Sequence, residues 1–236
     1  MDTNTLGIFL KYFSRLLMIL LVMPVANSAR GLAAKWNGDT TSEEEGRITL
    51  NPLAHIDPIG SLVILLIGFG WSNPMPIRYS RMKNIKRGVI TVSLAGPVTY
   101  FISAILCKII YMLLYYIPAT KEQLAADGVT PVMAFALVLS LLSNINVCLG
   151  VINLLPLPPM DGFQVLNQLA GPKFHNWYYP NQHQINQIST IILFALFFIG
   201  SLTNGLIDPL GWLINIADWL LSIVASLPFA LVSLLS

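Results

Sequence analysis

The side chains able to ligate a metal or move a proton are few and scattered in this sequence. Its three imidazoles are His55, His175 and His183. His55 stands two residues before Asp57, a spacing that suits an imidazole and a carboxylate hydrogen-bonded to order a loop. His175 and His183 lie eight apart in a polar, aromatic stretch. Asp161 follows a proline-rich run, Pro156-Leu157-Pro158-Pro159-Met160. A zinc site drawn from His55, Asp57 and Asp161 would be unusually rich in oxygen, since tetrahedral zinc sites are dominated by imidazole and thiolate. The thiols of Cys107 and Cys148 lie in apolar stretches without metal-ligand spacing, and they read as small buried residues.

Membrane helices must position these residues. Of 236 residues, 55% are hydrophobic and only 10% charged, and the mean hydropathy is +0.69. A soluble domain carries about a quarter charged residues, so lipid must cover part of this surface. The net charge of +2 gives no reason to expect nucleic acid. The length suits a single integral membrane domain over 1–236, with no room for an appended sensing domain. The apolar run Leu16 to Val25 has no convincing cleavage site and is expected to stay in the membrane.

A helix needs about 20 apolar residues to cross the hydrocarbon. Hydropathy predicts an all-α polytopic bundle of five to six spans plus one re-entrant or interfacial segment. The first span is expected from Gly7 to Lys35, kinked at Pro24, with Lys11 and Arg15 snorkelling to an interface. Pro58 to Ile77 is broken by glycines and prolines and suits the re-entrant segment. Further spans are expected at Gly88–Ile117, Pro131–Pro156 and Ile188–Leu206, with Trp177, Tyr178 and Tyr179 as an aromatic belt before the last of these. Leu213 to Leu235 either spans or lies in the interface. The basic cluster Arg78, Arg81, Lys83, Lys86 and Arg87 puts loop 72–88 in the cytoplasm, and the loop holding Lys121, Glu122 and Asp127 outside. Glu43-Glu44-Glu45 reads as a solvated loop.

Three segments carry a resemblance. Gly46-Arg47-Ile48-Thr49-Leu50-Asn51-Pro52-Leu53-Ala54-His55-Ile56-Asp57-Pro58 comes first. Phe69-Gly70-Trp71-Ser72-Asn73-Pro74 follows, with Ala95-Gly96-Pro97 beyond it. The third is Asn153-Leu154-Leu155-Pro156-Leu157-Pro158-Pro159-Met160-Asp161-Gly162. In this order they resemble the small bacterial branch of the site-2 proteases, intramembrane zinc metalloproteases, over a core of about 7–205 that leaves 206–236 as a C-terminal apolar segment.

The resemblance implies H-E-x-x-H on the first core helix. Histidines four apart share a helical face and grip one zinc, and the glutamate between them is the general base. Counted back without a gap from Gly38-Asp39, that motif falls on Ala26-Asn27-Ser28-Ala29-Arg30. Ala26 stands for the first histidine, Asn27 for the glutamate and Arg30 for the second histidine; Asp161 alone keeps its ligand position. Alanine has no donor atom, arginine stays protonated, and asparagine takes no proton near neutral pH. No metal is therefore expected.

Arg30 has two readings. The commoner one is that it snorkels to the cytoplasmic interface; the other is an ion pair with Asp161 in the place of the lost metal. Tyr100 replaces an asparagine that the resemblance implies three residues after Pro97. Asn146 and Asn153 keep their implied positions, either as contacts to a bound segment or, more commonly, as hydrogen bonds between helices.

The function expected is that of an inactive homologue, a pseudoprotease holding a transmembrane segment of a single-pass partner in a bacterial cytoplasmic membrane. One alternative is an active metalloprotease with a noncanonical zinc set. Another is a small transporter, for which only Arg30, Lys108 and Asp161 offer charge near membrane depth.

Overall fold

A computed structural model of the chain describes residues 3–125 and 130–235, so Asp127 lies outside the described residues. Every regular element among them is helical. Helix α1 (Thr3–Leu17) runs through a π-helical turn at Met18–Val22 into α2 (Met23–Trp36). The expected irregularity at Pro24 is thus taken up by the wider turn just before it, where a proline without an N–H is accommodated. Then come a single turn α3 (Thr41–Glu44), α4 (Pro58–Ile67), α5 (Ile85–Tyr116) and α6 (Pro118–Ala125). Helices α7 (Pro131–Asn153), α8 (Asp161–Leu169), α9 (Pro172–Leu202) and α10 (Pro209–Leu235) complete the order. Among the described residues five stretches are long and apolar enough to cross a membrane: Thr5–Trp36, Ile85–Tyr116, Pro131–Asn153, Pro172–Gly200 and Pro209–Ala230.

Local sequence sets the helix starts. Asn84 accepts the Arg87 amide at 3.0 Å to open α5, and Thr130 accepts the Met133 amide at 3.2 Å to open α7, with Pro131 next. Helix α7 packs along α5 and α1, and α5 packs along α2. Met18, Ile64, Tyr100, Leu142 and Leu149 share the apolar cluster at their centre. Helix α10 packs on α5 and α7, and Leu193 of α9 and Leu210 of α10 share a second cluster with Ile152 and Leu155, while most of the apolar surface of α9 and α10 stays exposed as lipid requires.

Helix α4 is the expected short segment. Asp57 caps it by accepting the Gly60 amide at 2.7 Å, and Gly68 ends it at φ +95. Its ten residues rise about 15 Å, half the hydrocarbon thickness. The chain then returns without regular structure against its own start, so closely that a Cβ on Gly60 would sit 2.1 Å from the Trp71 carbonyl oxygen.

The structure corrects the reading of Arg15. Instead of snorkelling, Arg15 is buried, and its guanidinium donates to the carbonyls of Leu65 at 2.5 Å, Leu66 at 2.9 Å and Ile67 at 2.9 Å. Those are the orphan carbonyls of the last turn of α4, where a cation also meets the negative end of the helix dipole. The arginine thus holds the tip of the hairpin.

Helix α9 starts at Pro172, well before Ile188, so Trp177, Tyr178 and Tyr179 lie within it. Polar residues hid this extension, and Pro180 is contained in it. Tyr178 is buried against Phe163 of α8, with ring centroids 5.0 Å apart, while Trp177 and Tyr179 stay exposed. Lys108 of α5 also has a partner that sequence reading passed over, Asp218 of α10 at 2.7 Å. The acidic run forms the helical turn α3, with Glu43 paired to Lys35 at 2.7 Å and Glu44 to Arg81 at 2.9 Å.

Candidate functional site

Residues Ala26, Asn27 and Arg30 face three different surroundings. Ala26 is fully buried in the central apolar cluster, so the first of the implied ligand positions ends in a methyl group among hydrocarbon. Asn27, also buried, uses its amide fully. Its Nδ2 donates to Ser72 Oγ at 2.9 Å and to His55 Nδ1 at 3.3 Å, and its Oδ1 accepts from Arg30 Nη1 at 3.3 Å.

The His55 ring is fixed at both nitrogens. Nε2 faces the Thr49 carbonyl at 2.8 Å, which requires the proton there and leaves Nδ1 to accept from Asn27. His55 is therefore tied to α2 and not to Asp57, whose carboxylate caps α4. The expected His55–Asp57 pair does not form. The two residues order the same loop through separate partners.

Arg30 meets Asp161 at 2.6 Å between Nη2 and Oδ2, with side-chain exposures of 17% and 22%. This replaces the snorkelling expectation. The first turn of α8 carries Asp161 toward α2, and burial makes a pair cheaper than an isolated guanidinium at such a place. Helix α5 completes the pocket: a Cβ on Gly96 would fall within 2.6 Å of three guanidinium atoms, and Tyr100, one turn on, stands close enough to feel the same charge. Arg30 and Tyr100, which both depart from the implied family pattern, are thus spatial neighbours. Tyr79 borders the pair as well; burial pushes its phenol above the ordinary value, with Asp161 adding to the shift and Arg30 opposing it.

Behind the site, Asp39 is buried at the foot of α2 and accepts from the Arg78 amide at 2.6 Å and the Thr41 amide at 3.1 Å, as well as from the Thr41 hydroxyl. Burial works against its charge, but these hydrogen bonds outweigh it and hold the carboxyl below the usual range.

The residues present do not fit the zinc that the resemblance implies. A methyl, an amide already engaged on all sides and a permanent cation offer no ligand set, and the one carboxylate is bound by that cation. Among the described residues no three His, Cys, Asp or Glu side chains come together to hold a metal ion. What the arrangement does is join α2, loop 49–57, Ser72 and α8 through one polar network.

Neither asparagine of α7 makes the hydrogen bond between helices that was one of its two readings. Asn146 donates to Leu142 O at 2.8 Å and Asn153 to Leu149 O at 2.7 Å, each within its own helix. Asn146 is fully buried, while Asn153 is half-buried. Ser72 and Tyr79 were not singled out from sequence. Ser72 lies inside one of the resembling segments, and nothing in the sequence marks Tyr79.

The family model described as Peptidase family M50 matches residues 25–199. The chain is 38% identical over 135 residues to the protein named "Putative zinc metalloprotease YwhC" of Bacillus subtilis (strain 168). That alignment covers 57% of this chain and 59% of the relative, so the chain spans less than two thirds of the relative's length. No solved structure matches.

Proposed function

Because the chain belongs to peptidase family M50, the site-2 proteases, we propose that it is a catalytically inactive member that holds a transmembrane segment of a single-pass partner without cutting it. One observation carries this reading: Arg30 makes a 2.6 Å ion pair with Asp161, the one carboxylate kept from the implied ligand set. A fixed cation there repels a divalent ion, and Asn27 in place of a general base removes a factor of about 10²–10⁴ in rate. The fold keeps its membrane scaffold, and Asn153 and Asp161 keep partial exposure from which a bound segment can be contacted. Loop 72–88 belongs on the cytoplasmic side in this reading, supported by its unbalanced lysines and arginines.

Metal analysis of the purified protein is the test. The expectation is far less than one zinc per chain. About one zinc per chain, lost on Asp161→Ala, would overturn the reading. A photo-crosslinker at Asn153 tests the second half: a reproducible single-pass partner is expected, and none would sink it.

A second reading, an active protease with another donor set for zinc, draws on the relative's printed name. The same metal analysis separates the two.

A further inference from the structure

A groove of about 690 Å³ runs between α2 and α5, and at one end Lys83 and Arg87 point into it. Neither cation takes part in any of the four ion pairs among the described residues. The N-terminus of α5, capped by Asn84, lies at the same end, and its dipole favours negative charge. The other end is hydrocarbon: Leu32, Val98 and Ile102 are all apolar and exposed. Near the basic end, next to Asn37 whose carbonyl accepts the Lys83 amide at 2.9 Å, Trp36 stands 78% exposed, an amphipathic ring of the kind found at headgroup level. Ile102 follows Arg87 by about four turns of α5, roughly 22 Å along the axis.

The occupant must therefore be anionic at one end and apolar over some 20 Å. A soluble anion has no use for the apolar walls. We propose that the groove binds one anionic phospholipid, its phosphate against Lys83 and Arg87 and an acyl chain along Val98 and Ile102. The bound lipid bridges α2, through Leu32 and Trp36, to the α5 face that holds Thr91, Ala95 and Val98. This site is separate from the Arg30–Asp161 network and does not depend on whether the protein cuts anything.

The test uses the full chain, delipidated in detergent and then offered equal dioleoyl phosphatidylglycerol and dioleoyl phosphatidylcholine, with retained lipid read by native mass spectrometry. Phosphatidylglycerol should be retained over phosphatidylcholine. Each basic residue near a lipid surface contributes about fivefold in affinity, so K83Q/R87Q should lower phosphatidylglycerol retention by about 25-fold. Thr99→Trp fills the apolar end with both cations intact and should lower retention of either lipid. Lys121→Gln, a cation on α6 away from the groove, should change nothing. Circular dichroism confirms that each variant is folded, and the two groove variants are independent, so either alone decides. Equal retention of the two lipids, unchanged retention in a folded groove variant, or a site filled equally well by inorganic phosphate would each overturn the proposal.

Discussion

Arg30 of α2 lies directly on the bare α-carbon of Gly96 in α5: a Cβ at position 96 would stand 2.2 Å from Nη2 and 2.4 Å from Cζ. No side chain fits between them. The glycine gives the guanidinium its place, and the guanidinium in turn reaches Asp161 across the same space.

Gly96→Ala should therefore push Arg30 off Asp161 and destabilise the protein by about 1–3 kcal/mol. Thermal unfolding in detergent measures this. In a background where Arg30 is already methionine, the same substitution should cost much less, giving a coupling of about 0.5–3 kcal/mol. Additive effects would mean that the contact carries no energy.

Asp161→Ala should leave the Arg30 cation buried without its partner, a loss of about 3–5 kcal/mol. Replacing both, Arg30→Met with Asp161→Leu, should recover most of it, because two apolar side chains need no compensation. If the double variant melts below the single one, the pair is not acting as a buried ion pair.

This pair was half legible in the sequence. The resemblance put Arg30 and Asp161 at positions that face one lost metal, so their pairing was one of two open readings, and only packing chose between it and snorkelling. Arg15 was not legible. Its partners are backbone carbonyls of Leu65, Leu66 and Ile67, which carry no residue signature, and they come near only because α4 folds back beside α1. Hydropathy made two spans plain: Gly88–Ile117 was expected where α5 runs Ile85–Tyr116, and Pro131–Pro156 where α7 runs Pro131–Asn153. Helix α9 began earlier than expected because its first turns are polar and aromatic, and hydropathy marks lipid contact rather than helix.

Arg15→Met should free the last carbonyls of α4. Each buried carbonyl left without a donor costs about 1–3 kcal/mol, so a loss of at least about 3 kcal/mol is expected. Amide hydrogen exchange should quicken in residues 58–78 more than in α5 or α7. Arg15→Lys, which keeps the charge but not the planar fork, should fall between. Exchange confined elsewhere would rule out the capping role.

Asp39 sets a pH dependence. Its folded carboxyl lies below the ordinary range despite burial, because Thr41 and Arg78 donate to the charged form. The stability it contributes is fully present above the unfolded value of about 3.9 and is lost as pH falls through the lower folded value. Between pH 5 and pH 3 the wild type should lose more melting temperature than Asp39→Asn, whose side chain does not titrate. Parallel curves would remove Asp39 as the cause.

The Lys108–Asp218 contact bears on how the chain is made. Translation delivers the ammonium of α5 long before the carboxylate of α10 leaves the ribosome, so for that interval a bare positive charge waits inside the bilayer. Until α10 arrives, the lysine of α5 lacks the carboxylate that neutralises it, so the place of α5 in the bundle is completed by a helix made about a hundred residues later.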